Sequence, residues 1–246
     1  MHVNSGDATP RLIVMDVDST LINEEVIDLL GEEAGIGDRI AAITERAMRG
    51  ELDFEHALAE RMALLAGLPA TVLQRVYERV TFTPGARELV AAAHARGWRV
   101  GVVSGGFCEI VDLLAEDAGI DFALASRLEI VDGALTGRLL GPVVTRELKL
   151  ATLERWAREM GIGLDRIVAV GDGANDIPMI QAAGVGIAFC AKPAVRAAAP
   201  FHIDERNLLR VLDVVDEADA AGIVKAAGAA SAASTGSEAA TGPNRA

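Results

Sequence analysis

Short apolar runs at 12–17, 98–103, 167–170 and 185–189 alternate with amphipathic segments at about 85–95, 109–118, 148–160 and 194–199. Apolar runs of that length, without polar alternation, are the pattern of strands buried on both faces. Strand–helix alternation in turn builds a mostly parallel sheet covered by helices on both faces. Gly97 and Gly161 follow two of the helical segments, where a left-handed helix terminus favours glycine. The expected fold class is therefore α/β and Rossmann-like. One stretch breaks the rhythm: 22–79 is helical in pattern throughout, with no strand, and it follows directly on the first run. It reads as a helical-bundle cap inserted into a core formed by 11–21 and 80–222. Residues 1–10 read as a flexible arm. The segment 223–246 is dominated by Ala, Gly, Ser and Thr and buries too little to offset its ordering entropy, so it is expected to be a disordered tail.

Composition narrows the function by exclusion. A chain of 246 residues is long enough for one or two domains with a real core. No stretch approaches the ~18 consecutive apolar residues of a membrane span, and no basic segment leads into an apolar one at the start. A cytoplasmic protein is expected, with no membrane partner. The two cysteines, Cys108 and Cys190, form no CxxC pair, which argues against a disulfide framework or a zinc site. The formal charge of −13 argues against nucleic acid as a partner. It also repels phosphorylated molecules at long range, so a site for such a ligand has to supply local positive charge. The sequence carries no signal of oligomeric state.

Ligands of open α/β sheets sit beyond the carboxyl ends of the strands, and the informative residues fall there. The segment LIVMDVDSTL runs from an apolar strand into Asp16, Asp18 and Thr20. Two carboxylates this close are electrostatically costly without a cation between them, and aspartate oxygens suit Mg²⁺. Another run ends in Ser104-Gly105-Gly106, a hydroxyl with flexible backbone N–H groups suited to phosphate. A third ends in Gly171-Asp172-Gly173-Ala174-Asn175-Asp176, two further carboxylates and an amide on a tight turn. Lys149 begins another helical segment. Each feature alone has an ordinary structural explanation, but the parallel sheet brings all of them to one edge.

With DVDST, SGG, Lys149 and GDGAND, the sequence resembles the haloacid dehalogenase superfamily. VDSTLINEE, VVSGGF, VAVGDGANDIPMI and AFCAKP resemble, more narrowly, its phosphoserine-hydrolysing branch over roughly 11–213. The resemblance implies Mg²⁺-dependent hydrolysis of O-phospho-L-serine to L-serine and phosphate, the last step of serine biosynthesis. It makes Asp16 the nucleophile that becomes an aspartyl phosphate, and Asp18 the acid–base group. It gives the metal to Asp16, the backbone carbonyl of Asp18 and Asp172, with Asp176 in support. Ser104, the Gly105 N–H and Lys149 bind phosphoryl oxygens, and Asn175 positions Lys149 or the phosphate. Arg61 takes the substrate carboxylate, Glu25 its ammonium, and Met48 and Phe54 line the pocket.

Arg61 also stands out without the resemblance. On a helix, Phe54, Ala57, Leu58, Leu64 and Leu65 make one apolar stripe with Arg61 in its middle. An inward guanidinium needs either a bidentate carboxylate ligand or a nearby glutamate of the cap. Two other functions are compatible with parts of this pattern. A relative acting on another small phosphomonoester, or passing the phosphoryl group to an acceptor alcohol, shares the motif around Asp16. A binding module on a decayed enzyme fold requires the loss of a catalytic group, and Asp16, Asp18, Ser104, Lys149, Asp172 and Asn175 are all present. Many members of the resembled branch carry an N-terminal regulatory domain. Here about ten residues precede the first strand, so feedback through such a domain is not expected.

Overall fold

The structure, a computed structural model, describes residues 9–223. The arm expected at 1–10 and the tail expected at 223–246 therefore lie outside the described residues, except for residues 9, 10 and 223. Seven strands form one sheet in the order β4-β3-β2-β1-β5-β6-β7. They are β1 (Leu12–Met15), β2 (Arg99–Phe107), β3 (Phe122–Val131), β4 (Ala134–Leu140), β5 (Ile167–Gly171), β6 (Val185–Phe189) and β7 (Phe201–Ile203). All pairings are parallel except that of β3 with β4. The fold class is α/β, with helices on both faces of the sheet.

The central strand explains why. All four residues of β1 are fully buried, and they alternate between two apolar layers. Ile13 and Met15 join Val100, Val102, Val168 and Val170 on one face. Leu12 and Val14 join Leu153, Trp156, Ile167 and Ala169 on the other. Each such side chain contributes roughly 1.5–3 kcal/mol when removed from water, so a strand of this composition is stable only between two layers. The second layer comes from α7 (Arg146–Glu159), α8 (Ile177–Ala182) and α9 (Pro193–Ala198). The first comes from α5 (Ala86–Ala95), α6 (Cys108–Ala118) and α10 (Arg210–Ala221), together with the helices that follow β1.

Those helices are α1 (Val26–Glu33), α2 (Gly37–Met48), α3 (Phe54–Ala63) and α4 (Val72–Arg79). The chain leaves and re-enters the core side by side, since Ile22 and Phe82 form an antiparallel bridge. Asn23 N–H donates to Thr81 O at 3.0 Å, and Thr83 N–H to Leu21 O at 2.9 Å. Among the described residues no helix is long and apolar enough to cross a membrane.

Three strands go beyond the four apolar runs of the sequence. β3 and β4 form a hairpin around Asp132-Gly133, both with positive φ (49° and 75°), the geometry Asp-Gly favours in a two-residue turn. These strands are half-exposed, so their apolar content is diluted and no continuous run announces them. β7 has three residues, too few to set a period. The hairpin also reaches the inserted helices: Gly67 N–H donates to Leu135 O, and Leu135 N–H to Leu68 O, both at 2.8 Å. Gly137 sits with φ at 81° against α3, where a Cβ would lie 3.0 Å from Ala66 Cβ and 3.1 Å from Met62 O. Gly137→Ala is therefore expected to cost roughly 1–3 kcal/mol in urea unfolding. An unchanged midpoint would show that this contact does not hold the helices to the hairpin.

Candidate active site

Register brings the site together. Met15 lies opposite Val102 on one side and Val170 on the other, so the residues that follow, Asp16, Val103 and Gly171, lie at nearly the same level. Asp16 follows β1 directly and is tied to β5 by its N–H, which donates to Val170 O at 3.0 Å. Its carboxylate Oδ1 accepts from Val17 N–H at 2.8 Å and lies 2.7 Å from Lys149 Nζ. The chain then makes one wide turn over residues 17–21, closed by Ile22 N–H to Val17 O at 3.0 Å. Asp172 follows β5, nearly buried, and its Oδ1 accepts from the Thr20 hydroxyl at 3.4 Å.

Lys149 carries its charge in the interior. Thr145 caps the N-terminus of α7, its hydroxyl accepting from Leu148 N–H, and Lys149 lies within the first turns with its side chain fully buried. Its ammonium contacts both Asp16 and Asp176 at 2.7 Å. Asp176, also fully buried, accepts from Gly173 N–H at 3.0 Å through its second oxygen. Burial by itself would lower the Lys149 pKa, but the two carboxylates overcome it and hold the ammonium above its ordinary range. Burial pushes Asp176 up to about 7, with the Asp16 charge adding to it and Lys149 opposing. Asp172 is raised for the same leading reason, burial, with Asp16 next.

One carboxylate oxygen from each of Asp16, Asp172 and Asp176 fits within a 4.8 Å span. Three buried acids this close repel one another, and Lys149 answers only part of that charge. All the donors are hard oxygens, so the cluster fits a divalent cation. The side chain of Asp18 turns elsewhere: Oδ1 accepts from Val26 N–H at 3.2 Å, at the start of α1. Burial raises its pKa well above the ordinary range, reinforced by Glu25 and Asp16.

The Ser104–Gly106 segment supplies the opposite wall. The register of β2 against β3 shifts between Ser104 and Phe107, which takes Gly105 and Gly106 out of the ladder. Ser104 is fully buried, and its hydroxyl accepts from Gly106 N–H at 2.8 Å. Side chains are excluded here by proximity. A Cβ on Gly105 would meet the Phe54 ring at 2.9 Å, and one on Gly106 would meet Asp18 Oδ2 at 2.8 Å.

These groups surround a cavity of about 810 Å³ lined by Asp16, Asp18, Gly105, Asp172 and Asn175 from the sheet edge. Glu25, Phe54 and Arg61 line it from the inserted helices. Ser104 and Lys149 lie behind that lining. Arg61 is half-buried on α3; of the expected stripe Ala57, Leu58 and Leu65 are buried, Leu64 is half-buried and Phe54 is exposed. Its Nε donates to Ala57 O at 3.2 Å and Nη1 to Thr44 Oγ1 at 3.5 Å, with no ion pair among the described residues. Burial pulls its pKa down, while Asp28, Glu25 and Asp18 favour its charge. Glu25 accepts the Ser19 hydroxyl at 2.7 Å, and burial raises its pKa. Met48 closes α2, and its side chain is outside the described residues. Asn175 faces the cavity, while the group that holds Lys149 is Asp176.

The family model of haloacid dehalogenase-like hydrolases matches residues 13–181. The phosphoserine phosphatase of Streptococcus thermophilus is 59% identical over 206 residues, 84% of this chain and 96% of its own length. The chain belongs to the haloacid dehalogenase-like hydrolase family. That of Methanocaldococcus jannaschii is 44% identical, covering 83% of this chain and 97% of that protein. Two solved structures superpose with a TM-score of 0.79 at 44% and 43% identity, each covering 83% of this chain and 98% of its own. One is described as a phospho-aspartyl intermediate analogue of phosphoserine phosphatase, the other as its substrate-bound complex. The haloacid dehalogenase match thus spans β1 to α8, and so contains every strand end that carries the acids.

Sequence reasoning did not single out Ser19, Thr44 or Arg206. Ser19 has φ at 55°, unusual for a residue other than glycine, and local sequence does not announce it. Thr44 and Arg206 matter only through residues far away in the chain. Asp176→Ala leaves the buried Lys149 with one carboxylate, and is expected to cost roughly 3–5 kcal/mol in denaturant unfolding. A loss under about 1 kcal/mol, the scale of an exposed ion pair, would show that the ammonium is not charged or not dry.

Proposed function

We propose that this chain hydrolyses O-phospho-L-serine to L-serine and phosphate through a phosphorylated Asp16, the last step of serine biosynthesis. The observation that carries this reading is the setting of Asp16. Asp16 lines the cavity, and its Oδ1 takes both Val17 N–H and Lys149, which leaves Oδ2 as the oxygen for nucleophilic use. Oδ2 attacks phosphorus, an oxygen–phosphorus bond forms, and the bond from phosphorus to the serine oxygen breaks. Asp18, kept protonated more readily than an ordinary carboxyl by burial and by its acidic neighbours, hands its proton to the departing oxygen. Asp18 then takes a proton from water as the water oxygen attacks phosphorus, and the bond to Asp16 breaks. Splitting the displacement in two lowers each barrier.

Ser104 and the Gly105 N–H bind phosphoryl oxygens, and Lys149 neutralises charge beside Asp16. Mg²⁺ is the metal that hard oxygen donors of this kind suit. Asp16, the Asp18 backbone carbonyl and Asp172 would hold it, with Asp176 in support, and it would supply positive charge that lets one anion approach another. Arg61 is aimed into the cavity with no carboxylate partner among the described residues, which favours a ligand carboxylate over a cap glutamate. Glu25 takes the ammonium, Met48 and Phe54 close the apolar side, and Asn175 orients the phosphate. The inserted helices, 22–79, act as the cap that confers this choice on a core of 11–21 and 80–222. We assign the reaction to the cytoplasm, with a small phosphorylated molecule as partner and neither nucleic acid nor membrane. Both cysteines are free, in keeping with that assignment.

Asp16→Asn is expected to abolish phosphate release while the circular dichroism spectrum stays that of the folded parent, with a lower unfolding midpoint because the buried Lys149 loses one of its two carboxylates. Residual turnover by the purified variant would rule out Asp16 as nucleophile. Arg61→Ala is expected to lower kcat/KM for phosphoserine by about tenfold or more and to spare an aryl phosphate. Equal losses on both would mean that Arg61 does not read the carboxylate. Chelation is expected to stop turnover and Mg²⁺ to restore it, whereas full activity in chelator would remove the metal from the scheme.

A further inference from the structure

Glu25 is held by a chain of contacts that starts 181 residues away, from Arg206, in the segment after β7. The Ser19 hydroxyl donates to Glu25 Oε1 at 2.7 Å, and it points there because Ser19 is left-handed, with φ at 55°. A serine prefers the right-handed and extended regions, so something must hold it. Its N–H donates to Glu24 O at 3.2 Å, and its carbonyl accepts from Arg206 Nη2 at 3.3 Å. The same Nη2 donates to Ile22 O at 3.2 Å, and Arg206 Nε donates to Asn23 Oδ1 at 2.7 Å. Asn23 in turn donates to Thr81 Oγ1 at 2.9 Å and Phe82 O at 3.3 Å. Two residues on, Leu208 N–H donates to Pro84 O at 2.8 Å.

Arg206 is half-buried, and it forms no ion pair among the described residues. Its charge is used instead on two main-chain carbonyls and one amide oxygen of a single turn. Three acceptors at fixed angles match a planar guanidinium, whereas a lysine ammonium is a single point on a flexible stem. The turn it grips is the one that leads from Asp16 to Glu25.

We propose that Arg206 is a positioning residue for Glu25: by gripping the 19–23 turn it keeps Ser19 left-handed and its hydroxyl on the Glu25 carboxylate. This rests on the reading of Glu25 as the partner of the substrate ammonium. Without Arg206 the Ser19 carbonyl loses its donor, the serine relaxes, and Glu25 swings free of the orientation that meets an ammonium. Asp16 is fixed independently, by Val170, Val17 and Lys149, and the Asp18 carboxyl by Val26 N–H at the start of α1, so the chemistry at phosphorus is expected to persist.

The test uses the full chain with Mg²⁺ and two substrates that differ only at the ammonium: O-phosphoserine and 2-hydroxy-3-(phosphonooxy)propanoate. Arg206→Ala and, should that variant fold poorly, Arg206→Lys are expected to lower kcat/KM on phosphoserine by about tenfold. The effect should fall mainly in KM. Turnover of the hydroxy analogue should stay within about twofold. In an E25Q background the arginine change is expected to add nothing further on phosphoserine. Equal losses on the two substrates, or additive losses with E25Q, overturn the proposal in favour of a merely structural clamp. A crystal structure of the Arg206 variant gives a readout independent of substrate. Ser19 is expected at negative φ with its hydroxyl off Glu25, and an unchanged turn overturns the proposal even if phosphoserine proves not to be the substrate. Absence of phosphoserine turnover by the parent protein would instead defeat the substrate reading alone.

Discussion

A lysine ammonium buried between two carboxylates sets the terms for everything around it. Lys149 has no exposed surface, and its charge is stable there only because Asp16 and Asp176 sit at 2.7 Å on either side. Removing either partner would leave a charge uncompensated in the interior. The converse matters equally. Asp16, Asp172 and Asp176 approach one another closely, and such crowding of acids is tolerable only with cations among them. One cation comes from the chain itself, and the oxygen-only donor set leaves room for a divalent ion as the other. Substrate charge is thus answered locally, in a protein whose net charge of −13 would otherwise repel it.

The same economy explains the floor and the walls of the cavity. The sheet supplies rigid positions, since β1 is locked by parallel pairing on both sides and by full burial on both faces. Asp16 directly follows this strand and is tied to β5 by its own N–H. The groups from the inserted helices, Glu25, Phe54 and Arg61, reach the same cavity from elements joined to the core through two adjacent connectors and the β3–β4 hairpin. On the proposed reading, chemistry and recognition sit on structurally separate supports, which is what the Arg206 proposal draws on.

Much of this was legible beforehand, for reasons that differ by residue. Asp16 and Asp172 each end an apolar run that reads as a strand buried on both faces, and parallel strands deliver their carboxyl ends to one edge. Arg61 was legible because a charge in an apolar helical stripe is an anomaly that needs a partner. Lys149 and Glu25, by contrast, look like ordinary surface residues in isolation, and only the resemblance raised them. The hairpin was missed because its half-exposed strands dilute the apolar signal, although Asp132-Gly133 is a turn the eye could have caught.

The α/β class, the helical stretch after the first strand, the acids at the strand ends and the family can all be read from the amino-acid order. Periodicity and strand polarity are local properties, and the motifs are short enough to be read directly. The tertiary structure alone decided that Asp176 rather than Asn175 grips Lys149, that Asp18 turns toward the start of α1, and that Arg206 holds the turn leading to Glu25. Each of these is a choice among several donors and acceptors within reach. Which pair closes depends on burial and on backbone geometry accumulated over the whole fold, and no local stretch of chain encodes that.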